Sequence, residues 1–351
     1  MKHITLDTYN TLTIEIIICT FQRTEMLLAC LDSISASFRK LNYALKLKIS
    51  LVFNGESSSN TQKQTFDDLS RQGIELSFMI SKQPLTPAAA RNLVLKNLKN
   101  EWILFLDDDV IIPTEFFNNF YKLALKYPDI DVWGGPNLAS FEQKSNLPAH
   151  IYSIENILIV GPIAKRYTIL PPALNYLFPD VWGLMMCNLF VRADYFKNLV
   201  LDSSLETAEE NLLLFNLSRL NAKFMYSPEL SVIHNRRHDI SSFLNRIYDY
   251  GRGRGQILFH SGLSAPFLLI LIPTLAFFSM LASANTLTWL FSVFIWLVSA
   301  HVYSYFFIVK LLPTSTKLFF LPLLIFIYYY FGIIKGVLNR HVKSVQFLLS
   351  K

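Results

Sequence analysis

The stretch from Leu85 to Pro113, LTPAAARNLVLKNLKNEWILFLDDDVIIP, decides how this chain folds. Thr86-Pro87 opens a helix, with a hydroxyl suited to the N-cap and a ring suited to the first helical position. That helix carries Arg91-Asn92 and leads to a strand, Trp102 to Leu106, which runs straight into Asp107-Asp108-Asp109. Three adjacent carboxylates repel one another and need a compensating cation. Asp107 and Asp109 have the oxygen chemistry for a hard cation such as Mg²⁺ or Mn²⁺, which can also grip a diphosphate. Taken by itself an acidic turn of this kind is common on protein surfaces. Its place behind a buried strand end is what points to a site.

Working outward, Thr13 to Cys19 (TIEIIIC) reads as a buried strand ended by Thr20-Phe21-Gln22-Arg23. From Glu25 to Leu41, apolar residues recur at helical spacing: Leu27, Leu28, Leu31, Ile34 and Phe38. A second strand, Leu47 to Phe53, stops at the turn signal Asn54-Gly55, and a helix and a short strand, Glu75 to Ile80, follow. Strands alternating with helices imply an α/β fold with a mostly parallel sheet covered on both faces. In such sheets functional groups gather beyond the carboxyl ends of strands. Thr20, Asn54 and Asp107 to Asp109 all fall there. Beyond Asp129 the pattern is less regular, until Glu209 to Leu220 reads as a helix, Phe224 to Tyr226 as a strand and Ile240 to Phe259 as a basic amphipathic helix.

Composition divides the chain. The 351 residues are 52% hydrophobic, and the excess lies in the last quarter. Three apolar stretches, Ser264–Ala284, Leu287–Leu311 and Leu318–Leu338, have about the 20 residues needed to cross a bilayer. The expected layout is a soluble domain over 1–235, a basic interfacial segment over 236–263 and a transmembrane helical region over 264–351. The formal charge of +6 is concentrated in Arg236, Arg237, Arg246, Arg252 and Arg254, just before the apolar tail. A basic cluster there fits membrane lipids rather than nucleic acid, with a solvated helix face as the alternative. With no basic-then-apolar leader at its start, the chain is expected at the inner (cytoplasmic) membrane as a multi-pass protein, its body in the cytoplasm. Cys19, Cys30 and Cys187 are far apart and show no Cys/His spacing of a zinc site, so they read as buried thiols.

Four segments, in order, resemble the family 2 glycosyltransferases with the GT-A fold. EIIICTFQR is similar to that family's first strand, and the stretch quoted at the outset resembles its central signature. CNLFVRADYF resembles its acceptor-side strand, and AEENLLLFNLSRLNAKFMYSPELSVIH resembles the segment that holds its catalytic acid residue and a downstream histidine. The resemblance covers Thr13 to Gly255 and implies inverting transfer from a nucleotide-diphosphate sugar donor, with Mn²⁺ or Mg²⁺ as cofactor. It makes Asp109 the metal ligand, joined by Asp107 and by His234 as a further ligand. Asp107 and Asp108 would lie near ribose and diphosphate. Thr20, Arg23 and Asn54 would line the nucleotide pocket, and Arg91 would steady the donor. Glu210 occupies the position of the base that takes the acceptor hydroxyl proton, with Glu209 as the alternative. Arg236-Arg237 and Tyr250-Gly251-Arg252-Gly253-Arg254 resemble segments that close over the diphosphate.

The chain also departs from the pattern. Phe53-Asn54-Gly55-Glu56 stands where the family often has Asp-Asp-Gly-Ser, which leaves the nucleobase open. Cys19 replaces a common Pro and Gln22 a common Asn. The Gln-x-x-Arg-Trp motif of processive synthases is absent, which argues for addition of one sugar. The apolar tail implies a lipid-linked or membrane-held glycan acceptor in envelope polysaccharide assembly. A non-catalytic membrane scaffold that kept the fold is the alternative. Gly251, Gly253 and Gly255 follow no strand and form no dinucleotide fingerprint, while Gly332-x-x-x-Gly336 has the spacing of a helix-packing motif.

Overall fold

The computed structural model describes residues 11–55, 63–138, 184–235, 240–261, 285–308 and 321–349, together with 279 and 282. Its centre is the β-branched strand β1 (Leu12–Thr20), buried along almost its whole length. β1 pairs in parallel with β2 (Leu45–Asn54) on one side and with β4 (Trp102–Asp107) on the other. β3 (Glu75–Ser81) continues the parallel run beyond β2. On the far side β8 (Asn188–Arg192) lies antiparallel to β4 and to β6 (Val132–Gly134), and β9 (Phe224–Tyr226) closes the edge. The seven strands stand in the order β3-β2-β1-β4-β8-β6-β9. The expectation of a mostly parallel sheet holds, with β8 as the strand that reverses.

The alternation along β1 feeds two cores. Ile14, Ile16 and Ile18 pack with α1 (Thr24–Arg39) through Leu27, Leu31 and Ile34, and with α4 (Phe116–Lys126) through Phe116, Phe117 and Phe120. Ile17 faces the other layer, with Ala88, Ala90 and Val94 of α3 (Pro87–Leu95) and Leu213, Leu214 and Leu217 of α5 (Glu209–Arg219). Each such aliphatic side chain stabilises the fold by about 1.5–3 kcal/mol when fully buried. Glu15 is the exception within this strand. It is buried, accepts from Ser50 Oγ at 2.6 Å and pairs with Lys48 Nζ at 2.8 Å, so its charge is compensated across β2. A short helix, α2 (Lys63–Arg71), joins β2 to β3.

The expected elements are present with ends that move by a residue or two. Thr86 caps α3 as its sequence implies, accepting from the Ala89 N–H at 3.2 Å. Among the described residues the fold also holds what periodicity did not reveal: β5 (Val110–Ile111), β7 (Asn137–Leu138) and β10 (Val232–His234) form a second, three-stranded sheet. Two- and three-residue strands are too short for any period to show. β10 runs antiparallel to β5 with His234 opposite Val110, which brings a residue from late in the chain beside the acidic turn.

Among the described residues three further helices follow: α6 (Ile240–Ser261), α7 (Thr286–Ile308) and α8 (Leu321–Leu349). α6 and α8 cross at backbone contact. A Cβ on Gly251 would lie 2.1 Å from the Tyr329 carbonyl oxygen, and one on Gly255 2.1 Å from that of Ile333. From the other side, a Cβ on Gly332 would meet Tyr248 O at 2.2 Å and one on Gly336 would meet Arg252 O at 2.0 Å. Both spaced glycine pairs therefore serve one helix crossing, which only hydrogen in place of a side chain permits.

Among the described residues no helix is long and apolar enough to cross a membrane. The three-span tail expected from the sequence is thus not supported there. Its second and third stretches coincide with α7 and α8, the latter interrupted by Lys335, Arg340 and Lys343. The first, Ser264–Ala284, lies outside the described residues apart from 279 and 282.

Candidate functional site

Thr20, Asn54 and Asp107 are the last residues of β1, β2 and β4, so the parallel register delivers all three to one edge of the sheet. A cavity of about 660 Å³ opens beyond that edge. It is lined by Arg23, Arg91, Asp107, Asp109, Glu209, Glu210 and His234, seven of the ten residues singled out by the sequence.

The remaining three sit behind or beside it. Thr20 is buried and its hydroxyl bonds Asp108. Asn54 spends its side chain on the backbone of Leu85, donating to the carbonyl at 2.9 Å and accepting from the N–H at 2.7 Å. That reciprocal pair fastens the end of β2 to the loop entering α3. Asp108 is turned inward, where burial pushes its carboxyl up to about 6, against the pull of Thr20 and Arg23.

Charge in the site is arranged in two clusters. In the first, Arg91 is buried between Glu209 Oε1 at 2.7 Å and Asp107 Oδ1 at 2.9 Å. Burial opposes its charge, but the two carboxylates outweigh that and raise its pKa. In the second, Arg23 reaches Asp108 at 3.2 Å and Asp109 at 3.1 Å, and His234 Nε2 lies 3.0 Å from Asp109 Oδ1. Burial acts to raise Asp109, yet His234, Arg23 and a backbone N–H together hold it below its ordinary value. Gln22, immediately before Arg23, adopts a left-handed φ of 53°, a conformation that costs a non-glycine residue about 1–3 kcal/mol. The Asn235 N–H donates to the Asp109 carbonyl at 2.9 Å, which locks β10 against the acidic turn.

The two glutamates that the sequence left as alternatives are separated by their surroundings. Glu209 is buried and held by Arg91. Glu210, next on the helix, points to the cavity, and desolvation followed by the neighbouring Glu209 charge pushes its pKa up to about 8. The two side chains therefore suit different tasks: Glu209 is tied up in an ion pair with Arg91, and Glu210 is left as the proton acceptor facing the cavity. Ala208, which precedes them, has a φ of +64° and is pressed by α6, since a Cβ on Gly253 would meet Ala208 Cβ and Thr207 Oγ1 at 2.6 Å each. Thr207 Oγ1 donates to the Asp249 carbonyl at 3.1 Å, and Arg252 forms ion pairs with Glu206 and Asp249.

The basic cluster therefore divides. Arg246 lines the cavity, Arg252 ties α6 to the segment before Glu209, and Arg254 is turned toward Tyr329 of α8. Arg236 and Arg237 lie outside the described residues.

Sequence reasoning missed Met26, Met185, Met186 and Cys187 in the lining, and Asn245 and Asp249 of α6. The segment 185–187 carried a signal only as the approach to a strand. No spacing rule marks residues that reach a site from three separate elements. Asp107, Asp109 and His234 line one cavity, with His234 Nε2 at 3.0 Å from Asp109 Oδ1, and the ligating atoms of Asp107, Cys187 and His234 all lie within 4.8 Å of one another, so groups suited to a divalent cation stand at its wall.

Comparison with solved structures finds similar chains. The mannosyltransferase PcManGT from Pyrobaculum calidifontis, in complex with GDP-Man and Mn²⁺, matches with a TM-score of 0.55 at 12% identity, over 93% of this chain and 87% of that one. TarS of S. aureus, residues 1–349 in complex with UDP-GlcNAc, aligns with a TM-score of 0.48 at 14% identity, over 95% and 92% of the two chains. No curated protein matches the sequence. The pattern described as glycosyl transferase family 2 matches residues 15–199, more than half of the chain and all of the sheet edge from β1 to β8. The chain belongs to that family, with its GT-A-like fold, and is a glycosyltransferase.

Proposed function

We propose that the protein moves a single sugar, with inversion, from a nucleotide-diphosphate donor to a lipid-linked or membrane-held glycan acceptor, in assembly of an envelope polysaccharide. The observation that carries this reading is that Asp107, Asp109 and His234 line one cavity together with Glu210, whose pKa burial raises to about 8.

In this scheme the donor diphosphate lies over the acidic turn, with Arg23 and Arg246 at the cavity wall as phosphate-binding groups. Asp107, Asp109 and His234 would hold Mn²⁺ or Mg²⁺, which supplies charge neutralisation for the leaving nucleotide diphosphate. Glu210 takes the proton from the acceptor hydroxyl as its oxygen bonds to the anomeric carbon and the bond from that carbon to the phosphate oxygen breaks. Arg91 fixes Glu209 and Asp107, so the two halves of the site share one buried guanidinium. Thr20 and Asp108 stand behind the nucleotide wall rather than in it.

Membrane attachment through the C-terminal region belongs to this proposal. Its support is compositional and local: α7 exposes Leu287, Leu290, Phe291 and Phe294, and the helix carries no charged residue. Exposed apolar side chains in such a run favour a bilayer surface or interior over water. The catalytic domain is placed on the cytoplasmic side, where nucleotide sugars are available.

The test is thermal stability of the detergent-purified protein against UDP, GDP, CDP and dTDP sugars, each with and without Mn²⁺. A stabilisation that needs both one nucleotide and the metal, and that Asp109→Ala removes, is the expected result. Stabilisation by no nucleotide, or full turnover by Glu210→Gln, would sink the reading.

A further inference from the structure

We propose that the C-terminal helix pair is a working part of the catalytic site: α6, docked on α8, holds the segment Glu206–Ala208 so that Glu210 faces the acceptor, with Thr207 and Arg252 as positioning residues. The inference rests on the reading of Glu210 as the base and adds what aims that carboxyl.

Glu209 and Glu210 open α5, and the residues just before them decide where that first turn points. Ala208 stands there with a φ of +64°, a left-handed conformation that costs an alanine about 1–3 kcal/mol. Such a conformation persists only where the surroundings impose it. Here they do so from α6. The Thr207 hydroxyl donates to the Asp249 carbonyl at 3.1 Å. Arg252, three residues on, pairs with Glu206 and, at 2.9 Å, with Asp249. Gly253 makes room, since a Cβ on it would stand 2.6 Å from both Ala208 Cβ and Thr207 Oγ1. Ile257 is fully buried with Leu205, Ala208, Leu212 and Phe215, in a small core separate from the two that flank the sheet. Asp249, Arg252, Gly253 and Ile257 recur at helical spacing, so one stripe of α6 grips the strap that leads to the base.

The contributions are unequal. The side chains of Glu206 and Asp249 are 40% and 44% exposed, so water screens the Arg252 pairs and they give direction more than energy. The apolar cluster supplies the stability, and the Thr207 hydroxyl sets the register. α8 keeps α6 in place in turn: a Cβ on Gly332 would lie 2.2 Å from the Tyr248 carbonyl oxygen, and one on Gly336 2.0 Å from that of Arg252. Arg252 thus offers its carbonyl to α8 and its guanidinium to the strap. Contacts run unbroken from α8 through α6 and Glu206–Ala208 to Glu210. A reacting group displaced by about 1 Å loses roughly a hundredfold in rate. A loosened strap would act on transfer at that scale without touching a donor contact.

The experiment compares the detergent-purified full chain with Thr207→Val, Thr207→Ser and Gly336→Ala. Thr207→Val keeps the shape and removes one hydroxyl, and the Asp249 carbonyl retains its place in the ladder of its own helix, so this variant is expected to fold. Hydrogen exchange needs no ligand. Thr207→Val should exchange about tenfold faster than wild type over 205–212 and equally over 87–95. Gly336→Ala, remote from both segments, should do the same over 205–212 by shifting α6. Turnover is read as hydrolysis of UDP-glucose, GDP-mannose, CDP-glucose or dTDP-glucose with Mn²⁺ and water as acceptor. Thr207→Val should lose about tenfold in kcat, about 1.4 kcal/mol of barrier, with donor KM within about twofold. Thr207→Ser, which keeps the hydroxyl, should recover most of the loss. Unchanged exchange over 205–212 in both Thr207→Val and Gly336→Ala, or an unchanged kcat in Thr207→Val, overturns the proposal. Full hydrolysis by Glu210→Gln removes the base reading instead. Hydrolysis of none of the four sugars by the wild type counts against the transferase mechanism, and the exchange result then decides the clamp alone.

Discussion

Replacing Arg91 by Met tests the electrostatic keystone of the site. The guanidinium is 5% exposed and joins Glu209, itself 8% exposed, to Asp107. The two arms differ in weight. The Asp107 side chain is 35% exposed, so water screens that arm and it contributes little. Glu209 has no such relief, and Arg91→Met leaves its charge buried beside Glu210. Removing one partner of a buried pair costs about 3–5 kcal/mol. For a catalytic domain of this size each kcal/mol moves the melting midpoint by roughly 2–4 °C, so the expected fall is about 6–20 °C. Circular dichroism melting at neutral pH reads it directly. The double variant Arg91→Met with Glu209→Gln should recover a large part of the loss, because the orphaned charge is gone. Arg91→Lys should fall between, since a point charge on a flexible stem cannot serve both carboxylates. Because the Arg91 charge helps hold Glu210 down, its loss should also move the rising limb of the pH–rate profile to higher pH. A fall below about 1 kcal/mol, or single and double variants that add without coupling, would refute the reasoning.

Glu210 predicts two opposite pH effects. As a base it must be ionised, so kcat/KM should climb with pH and level off above about 8, and Glu210→Gln should abolish the climb together with turnover. Its folded pKa lies above the unfolded value, so its contribution to stability is complete below the unfolded pKa and is lost as pH rises through about 8; Glu210→Gln should therefore melt higher than wild type in alkaline buffer. Gly255→Val should cost about 1–3 kcal/mol by forcing α6 and α8 apart, and donor affinity should fall with it because α6 carries Asn245, Arg246 and Asp249 into the cavity wall. Asn188→Ala should cost about 1–3 kcal/mol in denaturant unfolding by leaving the buried Leu230 carbonyl without its donor.

What the sequence alone determined about this protein is whatever short-range physics writes into contiguous residues. The β-branched run at Ile14–Ile18, the Thr86-Pro87 helix start and the apolar strand ending in Asp107 each declare their element locally. A parallel sheet then carries Thr20, Asn54 and Asp107 to one edge without further information. Chain folding over long separations decided the rest. Glu209 and Glu210 are indistinguishable as letters, and only Arg91, far away on α3, binds one and leaves the other to take up a proton. Asn54 stands at the right edge yet is claimed by the Leu85 backbone. The glycines of α6 show their purpose only in the fold, because the carbonyls that require them belong to α8. Cys187 carries no metal-site spacing along the chain, yet the fold brings its thiol within 4.8 Å of ligand atoms of Asp107 and His234. Periodicity and capping act over a few residues, whereas charge pairing, backbone approach and ligand convergence depend on which surfaces meet, and that is settled only when the whole sheet has assembled.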